Sequence, residues 1–259
     1  MPNEETEKRS RGIYLLPNLF TTAALFAGFY AIVAAMNGQF EKAAIAVFVA
    51  MVLDGLDGRV ARLTNTQSEF GAEYDSLSDM VSFGLAPSLV MYQWSLSAMG
   101  KLGWLAAFVY AAGAALRLAR FNTQVGIADK RFFQGLASPA AAAVVAGAVW
   151  VGVSYGVDGK SLVFLNFLLT VAAGVLMVSN IRYYSFKDLD LRGKVPFVAV
   201  LIVVLVFVFV SIDPPQVLFA AFLVYALSGP VMTVVMRSRM RKEKSADAGE
   251  DDTDDGSEG

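Results

Sequence analysis

Long apolar runs separated by short polar breaks organise the chain from residue 14 to residue 236. Windows of about 18–24 mainly apolar residues are long enough for a helix to cross a bilayer core of about 30 Å. They fall at roughly 14–36, 40–63, 72–97, 101–121, 133–155, 161–182, 195–212 and 215–236. The pattern therefore predicts an all-α integral membrane protein with about eight transmembrane helices. Turn-like breaks (NGQFEK, SAMGK, YGVDGK, IDPPQ) alternate with longer polar loops such as RFNTQVGIADKRFFQG and RYYSFKDLDLRGK. Pro17, which cannot donate a helical N–H, is expected to separate an interfacial piece, RGIYLL, from the first span proper. Runs of small residues, AAGAALRL and SPAAAAVVAGA, permit close helix packing and dimer contacts.

Charge orients these helices. With eight spans both termini share a side, and that side collects eighteen of the 21 Lys and Arg. They are Lys8, Arg9, Arg11, Arg59, Arg62, Arg117, Arg120, Lys130, Arg131, Arg182, Lys187, Arg192, Lys194, Arg237, Arg239, Arg241, Lys242 and Lys244. Lys42, Lys101 and Lys160 fall opposite. The positive-inside rule then makes both termini cytoplasmic. Residues 1–12 form a polar cytoplasmic N-terminus, 13–237 a single transmembrane domain, and 238–259 a basic, then acidic tail. Its stretch EKSADAGEDDTDDGSEG has no apolar content to bury, and the tail is predicted to be disordered. The first eleven residues are polar and the first apolar run is long enough to span, so a cleavable leader is not expected.

Composition narrows the chemistry. Charged residues make up 17% of the chain, against about 25% in a soluble domain. There is no Cys and no His. Thiol nucleophiles, imidazole bases and Cys/His zinc sites are thereby excluded, and any metal must be a hard cation on oxygen, Mg²⁺, Mn²⁺ or Ca²⁺.

Oxygen ligands are supplied by DGLDGRVARLTNTQSEFGAEYDSLSD, residues 54–79. Asp54 follows about fourteen residues of helix, or roughly 20 Å of rise, which places it in the cytoplasmic third of the membrane. Asp54, Asp57, Gly58 and Ala61 share one helix face at i, i+3, i+4 and i+7; Asp75 and Asp79 share another at i, i+4. A short turn, LTNTQSEF, makes the two helices antiparallel neighbours, so four carboxylates converge. Anions cannot share a low-dielectric site unpaired. Arg59 and Arg62 neutralise part of the charge, while two divalent ions would balance the rest and leave open coordination positions. Such a platform suits displacement at phosphorus on a diphosphate substrate. A divalent-cation transporter is the rival reading, but no acidic residues continue toward the far side.

The spacing D-x2-D-G-x2-A-R-x8-G-x3-D-x3-D resembles the signature of the CDP-alcohol phosphatidyltransferases, complete here as Asp54, Asp57, Gly58, Ala61, Arg62, Gly71, Asp75 and Asp79. The resemblance implies that Asp54, Asp57 and Asp75 ligate divalent ions, Mg²⁺ or Mn²⁺ in a pair, that hold the CDP diphosphate. Asp79 would act as general base on the acceptor hydroxyl and also reach a metal. Gly58 and Ala61 would border the cytidine, Arg62 and Gly71 would shape the nucleotide pocket, and Asn18 and Thr21 in LPNLFTT match a family position near the nucleotide. It further implies a homodimer, no nucleic-acid partner, CDP-diacylglycerol as donor, and a cytoplasm-facing site in a bacterial inner membrane.

SFGLAPS (82–88), RLARFN (117–122) and FQGLASPAA (133–141) resemble the serine-using branch of that family. A zwitterionic acceptor such as L-serine needs a cation for its carboxylate and oxygens for its ammonium. Arg117, Arg120 and Asn122 at the end of the fourth span, with Gln134 and Ser138 on the fifth, form the expected acceptor pocket, Arg120 binding the carboxylate. Glycerol 3-phosphate, inositol phosphate or choline are the alternative acceptors, and Lys130 and Arg131 would add charge for a phosphorylated one.

Overall fold

The structure, a computed structural model, describes residues 4–124, 132–184 and 197–251. Helices occupy the positions of all eight apolar segments. They are α1 (Glu4–Met36), α2 (Phe40–Thr64), α3 (Glu69–Asp79), α4 (Ala86–Trp94), α5 (Lys101–Gln124), α6 (Ser138–Ser154), α7 (Val163–Val178), α8 (Phe197–Ile212) and α9 (Pro214–Asp251). The third segment is split between α3 and α4, joined without a break by a π-turn at Met80–Leu85.

Among the described residues four helical stretches are long and apolar enough to cross a membrane: Leu16–Met36, Lys101–Thr123, Gly159–Val178 and Pro214–Val235. The other four fall short for separate reasons. α2 carries Asp54, Asp57 and Arg59 within its length, α3 and α4 are each short, and α6 and α8 have 17 and 16 residues. The described residues are thus predominantly helical and compatible with a membrane.

Three boundaries differ from expectation. α1 runs straight through Pro17: a proline inside a long helix removes one hydrogen bond, and the residues on both sides hold the helical path. α9 continues to Asp251, because RSRMRKEKSA is rich in strong helix formers; helix therefore occupies the start of the segment expected to be disordered, and 252–259 lie outside the described residues. The fifth helix begins at Ser138, not 133. Phe132–Gln134 (β1) instead pairs antiparallel with Arg182–Tyr184 (β2), Gln134 opposite Arg182. The architecture is all-helical, as expected, apart from this small ribbon. Gly135, at φ +79°, turns the chain out of β1, its N–H donating to Ile181 O at 2.9 Å.

Small side chains set the packing. Ala24, Ala27, Ala31 and Ala34 of α1 and Ala43, Ala44, Val47 and Ala50 of α2 are all buried, letting the two backbones approach closely. α6 is enclosed on all sides: Ala140 through Ala146 are buried, and it packs against α2, α4, α7 and α9. The SPAAAAVVAGA run therefore meets its own chain and is not available to a second copy. At the crossing of α5 and α7 a Cβ on Gly113 would lie 2.5 Å from Gly174 O, so two glycines hold the helices in backbone contact.

Candidate active site

The hairpin between α2 and α3 aligns the aspartates. α2 ends on Asn65 in the left-handed region, φ 52°, a conformation Asn tolerates. Ser68 then caps α3, its hydroxyl accepting from Gly71 N at 3.0 Å. With the two helices so joined, one carboxylate oxygen from each of Asp54, Asp57 and Asp75 comes within 4.8 Å of the others. Asp79, one turn beyond Asp75, makes a side-chain hydrogen-bonding contact with Asp54.

α1 closes the third side. Thr21 is buried and donates to Asp57 Oδ2 at 2.8 Å, with Pro17 O at 3.2 Å. Ser78 Oγ donates to Thr21 O and Ser82 Oγ to Ala24 O, each at 3.1 Å. Below the aspartates the π-turn is held from α5 by the buried Tyr110, whose hydroxyl donates to Phe83 O at 3.0 Å.

The donor set fits a hard divalent cation. Three carboxylates converge, and Oδ1 of Asp75 is buried without a hydrogen-bond partner among the described residues. Cations satisfy such oxygens, and oxygen-only ligation is what Mg²⁺ and Mn²⁺ prefer.

The residues expected at the nucleotide lie around this cluster. Gly58 is exposed, with nothing within 4 Å of a Cβ placed on it, so the α2 face beside Asp57 is open. Ala61 lies one turn on, and Arg62 folds back to donate from Nε to Gly58 O at 2.9 Å. Asn18 Oδ1 lies 3.6 Å from the Cβ position of Gly71, which brings the start of α1 against the start of α3. Thr21, by contrast, is 4% exposed and its hydroxyl is engaged by the protein.

The acceptor set is brought together only in part. Arg117 Nη1 donates to the buried Ser138 Oγ at 3.0 Å, and its guanidinium interacts electrostatically with Asp79 and Tyr225. Its Nε is buried without a partner among the described residues. Arg120 reaches Asn180 Oδ1 at 3.3 Å. Asn122 turns to α3, donating to Ser76 Oγ at 3.0 Å, so it ties helices together. Gln134 is exposed in β1 and not on a helix. Lys130 and Arg131 lie outside the described residues. Tyr225, Ser76 and Asn180 were missed from sequence; the signal for Tyr225 was a lone hydroxyl in the apolar run AAFLVYAL.

Residues 14–178 match the family described as CDP-alcohol phosphatidyltransferase. Several curated relatives share the name CDP-diacylglycerol–serine O-phosphatidyltransferase. That of Helicobacter pylori J99 is 40% identical over 236 residues, 90% of this chain and 98% of the relative. The protein of H. pylori 26695 is 41% identical over 217 residues, 83% of this chain and 90% of the relative. A Methanocaldococcus jannaschii protein is 37% identical over 142 residues, 55% of this chain and 63% of the relative.

Proposed function

The chain belongs to the CDP-alcohol phosphatidyltransferase family, and from that premise we propose that it transfers the phosphatidyl group of CDP-diacylglycerol to L-serine. Phosphatidylserine and CMP are the products. The observation that carries the reading is the convergence of Asp54, Asp57 and Asp75 within 4.8 Å, on a chain whose relatives bear that activity in their name along almost its whole length.

Asp54, Asp57 and Asp75, with Asp79 beside them, would hold a pair of Mg²⁺ or Mn²⁺ ions that neutralise the diphosphate and the departing oxygen. The protein's own groups do the rest. The open face at Gly58 and Ala61 receives the cytidine, and Arg62, Gly71 and Asn18 border it. Arg117, steadied by Ser138, and Arg120 bind the serine carboxylate. Asp79 takes the proton from the serine hydroxyl, whose oxygen attacks the β-phosphorus. The phosphoanhydride bond breaks and CMP departs, without a covalent enzyme intermediate. Arg117 beside Asp79 places the acceptor carboxylate near the base.

The same reading places eight spans in a bacterial inner membrane, with the termini and the site on the cytoplasmic side. It is supported by helices at all eight apolar segments and by eighteen Lys and Arg on one side of that layout. The functional unit is a homodimer, as is usual for the family. Domain limits of 1–12, 13–237 and 238–259 follow from the same layout.

The test is CMP release by purified protein given CDP-diacylglycerol and Mg²⁺ or Mn²⁺. Serine, glycerol 3-phosphate, inositol phosphate and choline are supplied separately, with EDTA and Asp79→Asn as controls. Release with serine alone, abolished by both controls, is expected. Release with a different alcohol would move the acceptor assignment; none with any acceptor would reopen cation transport.

A further inference from the structure

We infer that Thr21 is a positioning residue that sets the distance between the two aspartate-bearing helices, and not a contact to the nucleotide. The inference rests on the metal-dependent reading above, and concerns how that site is kept in shape. A residue that touches substrate needs a surface to offer. Thr21 offers almost none at 4% exposure, while Gly58 close by stands open.

What Thr21 does offer is a bond in each direction. Its side chain donates to Asp57 Oδ2 at 2.8 Å, on α2. Its main-chain carbonyl accepts from Ser78 Oγ at 3.1 Å, on α3 and one residue before Asp79. A threonine hydroxyl carries one proton, and an ionised carboxylate competes for it better than an amide carbonyl. Pro17 O at 3.2 Å is therefore the weaker branch. One residue of α1 thus touches both members of the hairpin at the level of the carboxylates. Ser82, fully buried, repeats the α1 contact at Ala24 O one turn further along. The α3 and π-turn side is held by two serine hydroxyls on main-chain carbonyls of α1, so it does not need the Thr21 hydroxyl; the α2 side does.

Groups that hydrogen-bond a metal ligand fix its orientation, and losing one typically weakens metal binding about 10–100-fold. Thr21→Val keeps the shape and removes the proton; Thr21→Ser keeps the proton and removes a methyl. Full-length protein in detergent is titrated with Mn²⁺ alone and the free ion read by electron paramagnetic resonance. CMP release is then measured against Mn²⁺ and, at saturating Mn²⁺, against CDP-diacylglycerol.

The expected result is Mn²⁺ binding weakened about 10–100-fold in Thr21→Val and close to the parent in Thr21→Ser, with KM for CDP-diacylglycerol unchanged in both. Unaltered Mn²⁺ binding with a raised KM for CDP-diacylglycerol would make Thr21 a nucleotide contact and overturn the inference. Equal weakening in both variants would overturn it too, because the methyl and not the hydroxyl would matter. Should Thr21→Val fail to fold, a weakened Thr21→Ser alone refutes the hydroxyl's role. Absence of Mn²⁺ binding in the parent protein would instead refute the metal site itself, and this inference with it.

Discussion

Gly28 tests whether α1 truly governs the aspartates. A Cβ on Gly28 would lie 2.5 Å from Ser82 Oγ, 2.7 Å from Ser82 Cα and 3.0 Å from Ser82 Cβ. Carbon atoms rest at about 3.5–4.0 Å, so Gly28→Ala forces α1 and the π-turn apart by about 1 Å. The Ser82–Ala24 and Ser78–Thr21 bonds, both 3.1 Å now, would then stretch to about 4 Å, beyond hydrogen-bonding range. Overpacking and the two lost bonds together cost on the order of 3 kcal/mol. In a chain of this size that lowers the thermal midpoint by roughly 6–12 °C. Asp79 follows Ser78, and a displacement of about 1 Å at a reacting group costs about 10²-fold in rate.

Thermal unfolding in detergent and CMP release read the two effects separately. Ser82→Ala alone should cost about 1 kcal/mol, the loss of one bond. It should not rescue Gly28→Ala, because Ser82 Cα remains 2.7 Å from the added carbon. Parent-like rate and midpoint in Gly28→Ala, or full rescue by Ser82→Ala, would refute the reasoning: α1 could then slide without moving the aspartates.

Asp75→Asn should weaken Mn²⁺ binding beyond the ~100-fold expected of losing a group that only hydrogen-bonds a ligand, since the oxygen left without a partner would be a direct ligand in the proposed site; a Mn²⁺ titration checks it. Arg120→Ala should raise KM for serine about tenfold or more, the loss of one charged hydrogen bond, and leave KM for CDP-diacylglycerol alone; steady-state kinetics with each substrate varied decides it. Gly135→Ala pairs a left-handed backbone, φ +79°, with a Cβ placed 2.2 Å from Met177 O. It should destabilise by more than the ~1–2 kcal/mol of the backbone alone, as measured by thermal unfolding.

Hydropathy carried the helices, because a bilayer-length apolar run has few other ways to satisfy its backbone. Spacing carried the carboxylates: i, i+3 on α2 and i, i+4 on α3 left a short hairpin one way to close. Contacts between distant segments were not legible. Thr21 and Asp57 are 36 residues apart, and no local pattern pairs a helix-start hydroxyl with that carboxylate. The π-turn was equally hidden, since MVSFGL reads as ordinary apolar helix. Gln134 was misplaced because FFQG continues an apolar run, while its backbone bonds go to β2 across the intervening helices. Asn122 was assigned to an acceptor although a polar residue at a helix end serves as well to tie that end to a neighbour, here Ser76.

The π-turn also bears on how the sequence is free to vary over generations. Such a turn accommodates a residue more than regular helix would in the same stretch. Loss of one residue between Met80 and Leu85 would restore regular helix with the flanking helices close to their present faces, whereas loss of a second would rotate everything before it by about 100° relative to α4. Asp75 and Asp79 would then turn away from Asp54 without any change to the motif itself. The stretch can therefore shed its one extra residue but no more: in this helix the spacing is inherited by residue count as much as by residue identity.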